Sequence, residues 1–191
     1  DLVNDTRSGA CVTVVYLTAG DAGQGSTYWA ERENGARAAH ASMAAVSAPL
    51  WTTSTVTYAG HNATRSTLAG TGTELIFLRL PDGNVSGGGF SSTGGKSLEQ
   101  LWSGTLGRLT TVDGATSYSA TELIATLKAI AAVTPPARIR LQDDTDAYSD
   151  HSDHRYSARF GLAALAGTAA VTRYRDYANS SQPANVSGTD L

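Results

Sequence analysis

The densest run of reactive side chains is DDTDAYSDHSDH, residues 143–154. His151 and His154 are three apart. On a helix that spacing puts both rings on one face, with Cβ atoms about 5–6 Å apart. Asp150 and Asp153 flank them. Two imidazoles beside two carboxylates can bind zinc, or can divide into one ligand and one acid–base group. The competing reading is a solvated helix start, with Asp150 as N-cap and Asp153 favourable in the first turn. A catalytic zinc normally takes three protein ligands. The other histidines are His40, in the middle of an Ala-rich helix, and His61, in a Gly/Asn loop. Neither has an acidic neighbour, and both are expected on the surface. Cys11 opens a strand at the end away from the cluster. The residues alone do not complete a metal site.

Two further polar clusters follow strand-like runs: GDAG at 20–23 and LPDG at 80–83. GDAGQG lacks both the G-x-G-x-x-G spacing and a P-loop lysine, which argues against a nucleotide site. Asp82 by itself reads as a turn residue. No G-x-S-x-G is present, which argues against a serine nucleophile elbow.

These clusters need a scaffold. Cys11–Thr18 is a continuous β-branched and aromatic run, as expected of a central parallel strand covered on both faces. A helix is expected over roughly Tyr28–Val46, stopped by Pro49. Thr53–Tyr58 and Glu74–Leu80 read as strands. Residues 81–96, PDGNVSGGGFSSTGGK, read as a long surface loop, a kind that is often functional. Ser97–Trp102 begins a short helix. Ser119–Val133 is an amphipathic helix with a capping-box start. Ala137–Leu141 is a strand, His151–Ala166 a helix, and Ala170–Tyr174 a last strand. The alternation predicts one α/β domain with a mostly parallel sheet, its site beyond the carboxyl ends of the strands.

Composition narrows the field. A net charge of −3 without a basic patch gives no footing for nucleic acid. No run of about eighteen apolar residues exists, so no membrane span is expected. A single cysteine excludes an internal disulfide framework. Of six Asn, five (Asn4, Asn62, Asn84, Asn179 and Asn185) begin an N-x-S/T triplet, in a chain with 43 Ser and Thr. Chance predicts about one or two, so the excess suggests a secreted glycoprotein.

The segments VVYLTAGDAGQGSTYWAERENGARAAHASMAAV, FLRLPDGN, SLEQLWSG and DHSDH, in this order, resemble the PIG-L/LmbE-like deacetylases over nearly the whole chain. The resemblance implies a three-layer, Rossmann-like α/β fold with helices on both faces of the sheet. It implies zinc-dependent removal of N-acetyl groups from N-acetylglucosamine-type carbohydrates or glycoconjugates. It assigns His154 as a zinc ligand. His151 becomes the group that stabilises the oxyanion and protonates the leaving amine, and Asp153 supports His151. Arg32 and Asp82 become sugar contacts. The family's first motif, A-H-x-D-D just after the first strand, supplies the other ligands and the base. That motif is expected ahead of Asp1, so the chain reads as one domain lacking its first strand and stopping early at the C-terminus. The alternative is a carbohydrate-binding relative that keeps the fold without the metal.

Overall fold

A computed structural model describes residues 1–145, 150–177, 179 and 183. A short helix α1 (Leu2–Arg7) leads into strand β1 (Val12–Thr18) and the long helix α2 (Ser26–Met43). Three strands follow: β2 (Trp51–Tyr58), β3 (His61–Leu68) and β4 (Thr73–Leu80). Then come α3 (Leu98–Ser103), the two-residue strands β5 (Leu109–Thr110) and β6 (Ser117–Tyr118), and α4 (Ala120–Val133). Strand β7 (Arg138–Gln142), helix α5 (Ser152–Leu165) and strand β8 (Ala170–Tyr174) close the described order. Residues 146–149 of the acidic loop, and Asn185 with most of the C-terminal segment, lie outside the described residues.

Local chemistry explains the element ends. Ser119 accepts the N–H of Glu122, and the Glu122 carboxylate accepts the N–H of Ser119, which makes the expected capping box of α4. Ser97 caps α3 in the same way, accepting the N–H of Gln100. Leu75, Ile76, Phe77 and Leu78 of β4 are all buried. Ile76, Leu78 and Leu80 pack with Leu98, Leu101, Leu123, Leu127 and Phe160 from α3, α4 and α5. Phe77 points the other way, stacked on Tyr16 of β1 and covered by the guanidinium of Arg37 in α2. Helices therefore cover β4 from both sides.

The sheet differs from the expectation of mostly parallel strands. Its order is β1-β4-β3-β2, with β1 parallel to β4 but β4–β3–β2 antiparallel. Strands β7 and β8 form a separate parallel pair. The α/β class holds, and the sheet is mixed. The cause is β3, a strand where the Gly/Asn content around His61 predicts a loop. It returns from β2 through Ala59 and Gly60, both with positive φ, the geometry of a two-residue hairpin turn. His61 therefore lies in a strand, hydrogen-bonded to Thr116 and stacked on Tyr118. His40 is also not a surface residue: it is buried against the Tyr16 hydroxyl at 3.1 Å.

Strand β1 is less buried than its apolar sequence implies; Val14, Val15 and Tyr16 are only half-buried. One of its edges pairs with β4, and among the described residues no strand pairs with the other. That free edge borders a cleft of about 1100 Å³, lined by residues 13–18 of β1 on one side and 138–142 of β7 on the other. Consecutive strand residues point to opposite faces. A cleft touching all of them is flanked by strand edges, not by a sheet face. No helix among the described residues is long and apolar enough to cross a membrane.

Candidate active site at three strand ends

The three polar clusters meet. Asp21, three residues past β1 and 1% exposed, accepts the N–H of Asp82 at 2.7 Å and that of Gly23 at 3.1 Å. Asp82 in turn accepts the N–H of Asn84 at 2.8 Å and that of Ala22 at 3.4 Å. The GDAG and LPDG turns are thus laced together by two aspartates, each accepting the other turn's backbone. Asp153, in the first turn of α5, accepts the Gly83 N–H with both carboxylate oxygens at 3.1 Å. Position 83 must be glycine, because a Cβ there would lie 2.6 Å from Asp153 Oδ1. Ser152 completes the docking, its hydroxyl donating to the Asn84 carbonyl at 2.7 Å and its N–H to the Val85 carbonyl at 3.1 Å.

The N-cap of α5 is His151, not Asp150. Its Nδ1 accepts the N–H of Asp153 at 3.2 Å. A neutral imidazole has one donor and one acceptor, so this bond places the ring hydrogen on Nε2. Nε2 lies 3.7 Å from Asp82 Oδ1. Burial lowers the His151 pKa, aided by His154 and opposed by Asp82 and Asp150.

His154 is held differently. Its Nδ1 lies 3.0 Å from Asp150 Oδ1, and the same oxygen accepts the N–H of His151. Its Nε2 is 3.6 Å from Asp176 Oδ2, and its ring lies beside Tyr177. Burial pushes the Asp150 pKa up, but hydrogen bonds from the His151 N–H and from His154 outweigh it, so the carboxylate is held below its ordinary value. Asp153 goes the opposite way. Burial, together with the charges of Asp82 and Asp21, raises its pKa to about 7, against the pull of the Gly83 N–H and the Thr18 side chain. Three carboxylates around one point cannot all ionise cheaply without a cation.

Asp82, His151 and Asp153 could hold a metal ion, since one ligand atom of each lies within 4.8 Å of the others. The donor chemistry, two carboxylates and an imidazole, suits zinc. Binding through His151 Nε2 would require that nitrogen to lose its hydrogen, and Nδ1 then to gain one or stay bare; the first breaks the N-cap. His154 is outside this group, but its Nδ1 bond to Asp150 is the carboxylate–histidine arrangement that orients a metal-binding imidazole.

Of the site residues expected from the sequence, Asp82, His151 and Asp153 meet here, and His154 lies beside His151. Arg32 is exposed on α2, its guanidinium lying over Gly20, and it lines the same cleft as Asp153 and His154. What the sequence reading missed is Asp21 as a buried carboxylate, and Asp150 as the partner of His154 and not as a helix cap. The available signal was that GDAG and LPDG each place an aspartate directly past a strand. No family model, no curated protein and no solved structure matches the chain.

Proposed function

We propose that the chain carries the core of a PIG-L/LmbE-like, zinc-dependent N-deacetylase acting on N-acetylglucosamine-type carbohydrate, on a three-layer, Rossmann-like scaffold. The observation that carries the reading is the unequal hydrogen bonding of the two histidines. His154 has its Nδ1 engaged by a carboxylate, which leaves Nε2 as the nitrogen that would hold zinc. His151 has its Nδ1 engaged by backbone, which leaves Nε2–H as a donor. The other ligands would come from the family's A-H-x-D-D motif, which residues 1–191 do not contain. When bound, zinc supplies Lewis acidity and a water of pKa about 7.

The chain's own residues do the rest. His151 Nε2–H donates to the oxygen that gains charge when the acetyl carbonyl is attacked; to protonate the departing amine from Nε2 the ring must take a proton at Nδ1, giving up the Asp153 N–H. Asp153 fixes α5 against Gly83, and its N–H holds the His151 ring. Arg32 and Asp82 border the site and contact sugar hydroxyls. The exposed sequons at Asn4 and Asn62 fit a secreted glycoprotein.

The test is metal content and deacetylation rate, side by side, in a chain that includes the A-H-x-D-D motif. His154→Ala should lose zinc. His151→Ala should keep zinc and lose about 10²–10⁴ in turnover. Asp153→Asn should keep metal and fall between them. If His151→Ala loses zinc and His154→Ala keeps it, the assignment is reversed, and the Asp82–His151–Asp153 group is the metal site. A chain that binds N-acetylglucosamine oligomers without metal or turnover would be a carbohydrate-binding relative.

A further inference from the structure

We infer that Arg79, which lies outside the cluster of Asp and His side chains, is the positioning residue that fixes Asp82. The inference rests on reading the Asp82–His151–Asp153 group as the site. Between Tyr16 and Thr18 on β1 the ladder advances two residues, while β4 advances three, from Phe77 to Leu80. The extra residue makes a β-bulge, a device that ends pairing and re-aims a strand. Arg79 sits in that bulge with φ of 58°, a left-handed backbone that L side chains other than Asn and Asp seldom adopt.

Such a conformation persists only where the surroundings over-determine it. Here they do. The Arg79 guanidinium forks onto the buried Glu33 carboxylate at 2.6 and 3.1 Å. It reaches Asp113 at 3.0 Å and lies 4.7 Å from the Trp29 ring centre. Its carbonyl leaves the β1 ladder and accepts the Val112 N–H at 2.8 Å. One side chain thus ties β4 to α2 and to the segment joining β5 and β6. A fork onto a carboxylate fixes orientation as well as distance. Pairing with β1 then resumes at Thr18 and Leu80, where the Ala19 N–H donates to the Leu80 carbonyl at 2.8 Å. Two residues on, the Asp82 N–H meets Asp21 and the Gly83 N–H meets Asp153. The clamp sets where the strand ends, and the strand end sets where Asp82 faces His151.

Amide hydrogen exchange reads this without metal or substrate. Arg79→Ala should speed exchange at the Asp82 and Gly83 amides at least tenfold, while the Val12 and Leu123 amides, in β1 and α4, keep their wild-type rates. Arg79→Gly, which allows the same φ without the clamp, should give a smaller increase at the same two amides. Glu33→Gln, which keeps the fold's shape and weakens the fork, should show the same local pattern if Arg79→Ala does not fold. Unchanged protection at Asp82 and Gly83, or a loss shared equally by Val12 and Leu123, overturns the inference. Wild-type protein that gains no metal with its full motif set would sink the metal reading while leaving the exchange result to stand.

Discussion

The two edges of β1 are opposites. Toward β4 the strand is paired from Val12 to Thr18 with one bulge at Arg79, the side chains of Leu75, Ile76 and Leu78 are at most 1% exposed, and the strand ends are laced by Asp21, Asp82 and Gly83. Toward β7 no strand among the described residues pairs with it, and the edge borders an open cleft. Asp153 and His154 sit where the two meet. The closed edge fixes the groups that need fixed positions. The open edge presents backbone donors and acceptors in line, which is the surface an added strand requires and also the surface that invites aggregation.

The largest test of this contrast is the stability of residues 1–191 alone. With the cleft open, the chain should melt broadly or aggregate, as followed by calorimetry with light scattering. A cooperative, monomeric transition above about 60 °C, in the upper mesophile range, would break the comparison by showing that the free edge costs little.

Core truncations sharpen it next. Leu75→Ala and Ile76→Ala, on the closed side, should each cost about 2–5 kcal/mol. Val14→Ala, half-buried beside the cleft, should cost about 1 kcal/mol, because part of its surface is already in water. Urea unfolding at low temperature would give the three values. Equal losses would mean that the cleft is as well packed as the β1–β4 interface.

The same contrast explains what was readable in the sequence. The helices and most strands were legible because their signals are local: the capping box at Ser119 and Glu122, the β-branched run at Cys11–Thr18, the apolar run within Glu74–Leu80. Strand β3 was not, since HNATRSTL is polar and its turn is Ala-Gly in place of the stronger Asn-Gly signal. The acidic and histidine residues of the site were legible as a motif, but their partners were not. Asp21 meets Asp82, 61 positions away, only through folding. Whether Asp150 caps a helix or holds an imidazole depends on a turn that composition does not specify. The bulge at Arg79 left no mark at all, because arginine in a strand gives no hint of positive φ.

The narrowest test is a pH slope from Asp153, at the junction of the two edges. Its native pKa is raised to about 7 from an ordinary 3.8. Below about pH 4 both native and unfolded chains hold the proton, and Asp153 adds no pH dependence. Between about 4 and 7 the unfolded chain has lost it while the native chain keeps it. The native state then binds more protons, so stability falls as pH rises through this window and levels off above it. His151, whose native pKa is lowered, pulls the other way below its ordinary value of 6.5. The Asp153 contribution therefore has to be read as a difference between proteins. Asp153→Asn removes the titration while keeping one acceptor for the Gly83 N–H. Relative to wild type, it should gain stability steadily from pH 4 to 7 and hold a constant advantage from 7 to 9. The separation of the two pKa values caps that gain at about 4 kcal/mol. Unfolding free energies of both proteins across this range supply the test. A flat difference would mean that Asp153 is already ionised in the native chain at pH 5. Its site would then be wet or charge-compensated, and the closed edge would not be the dry one.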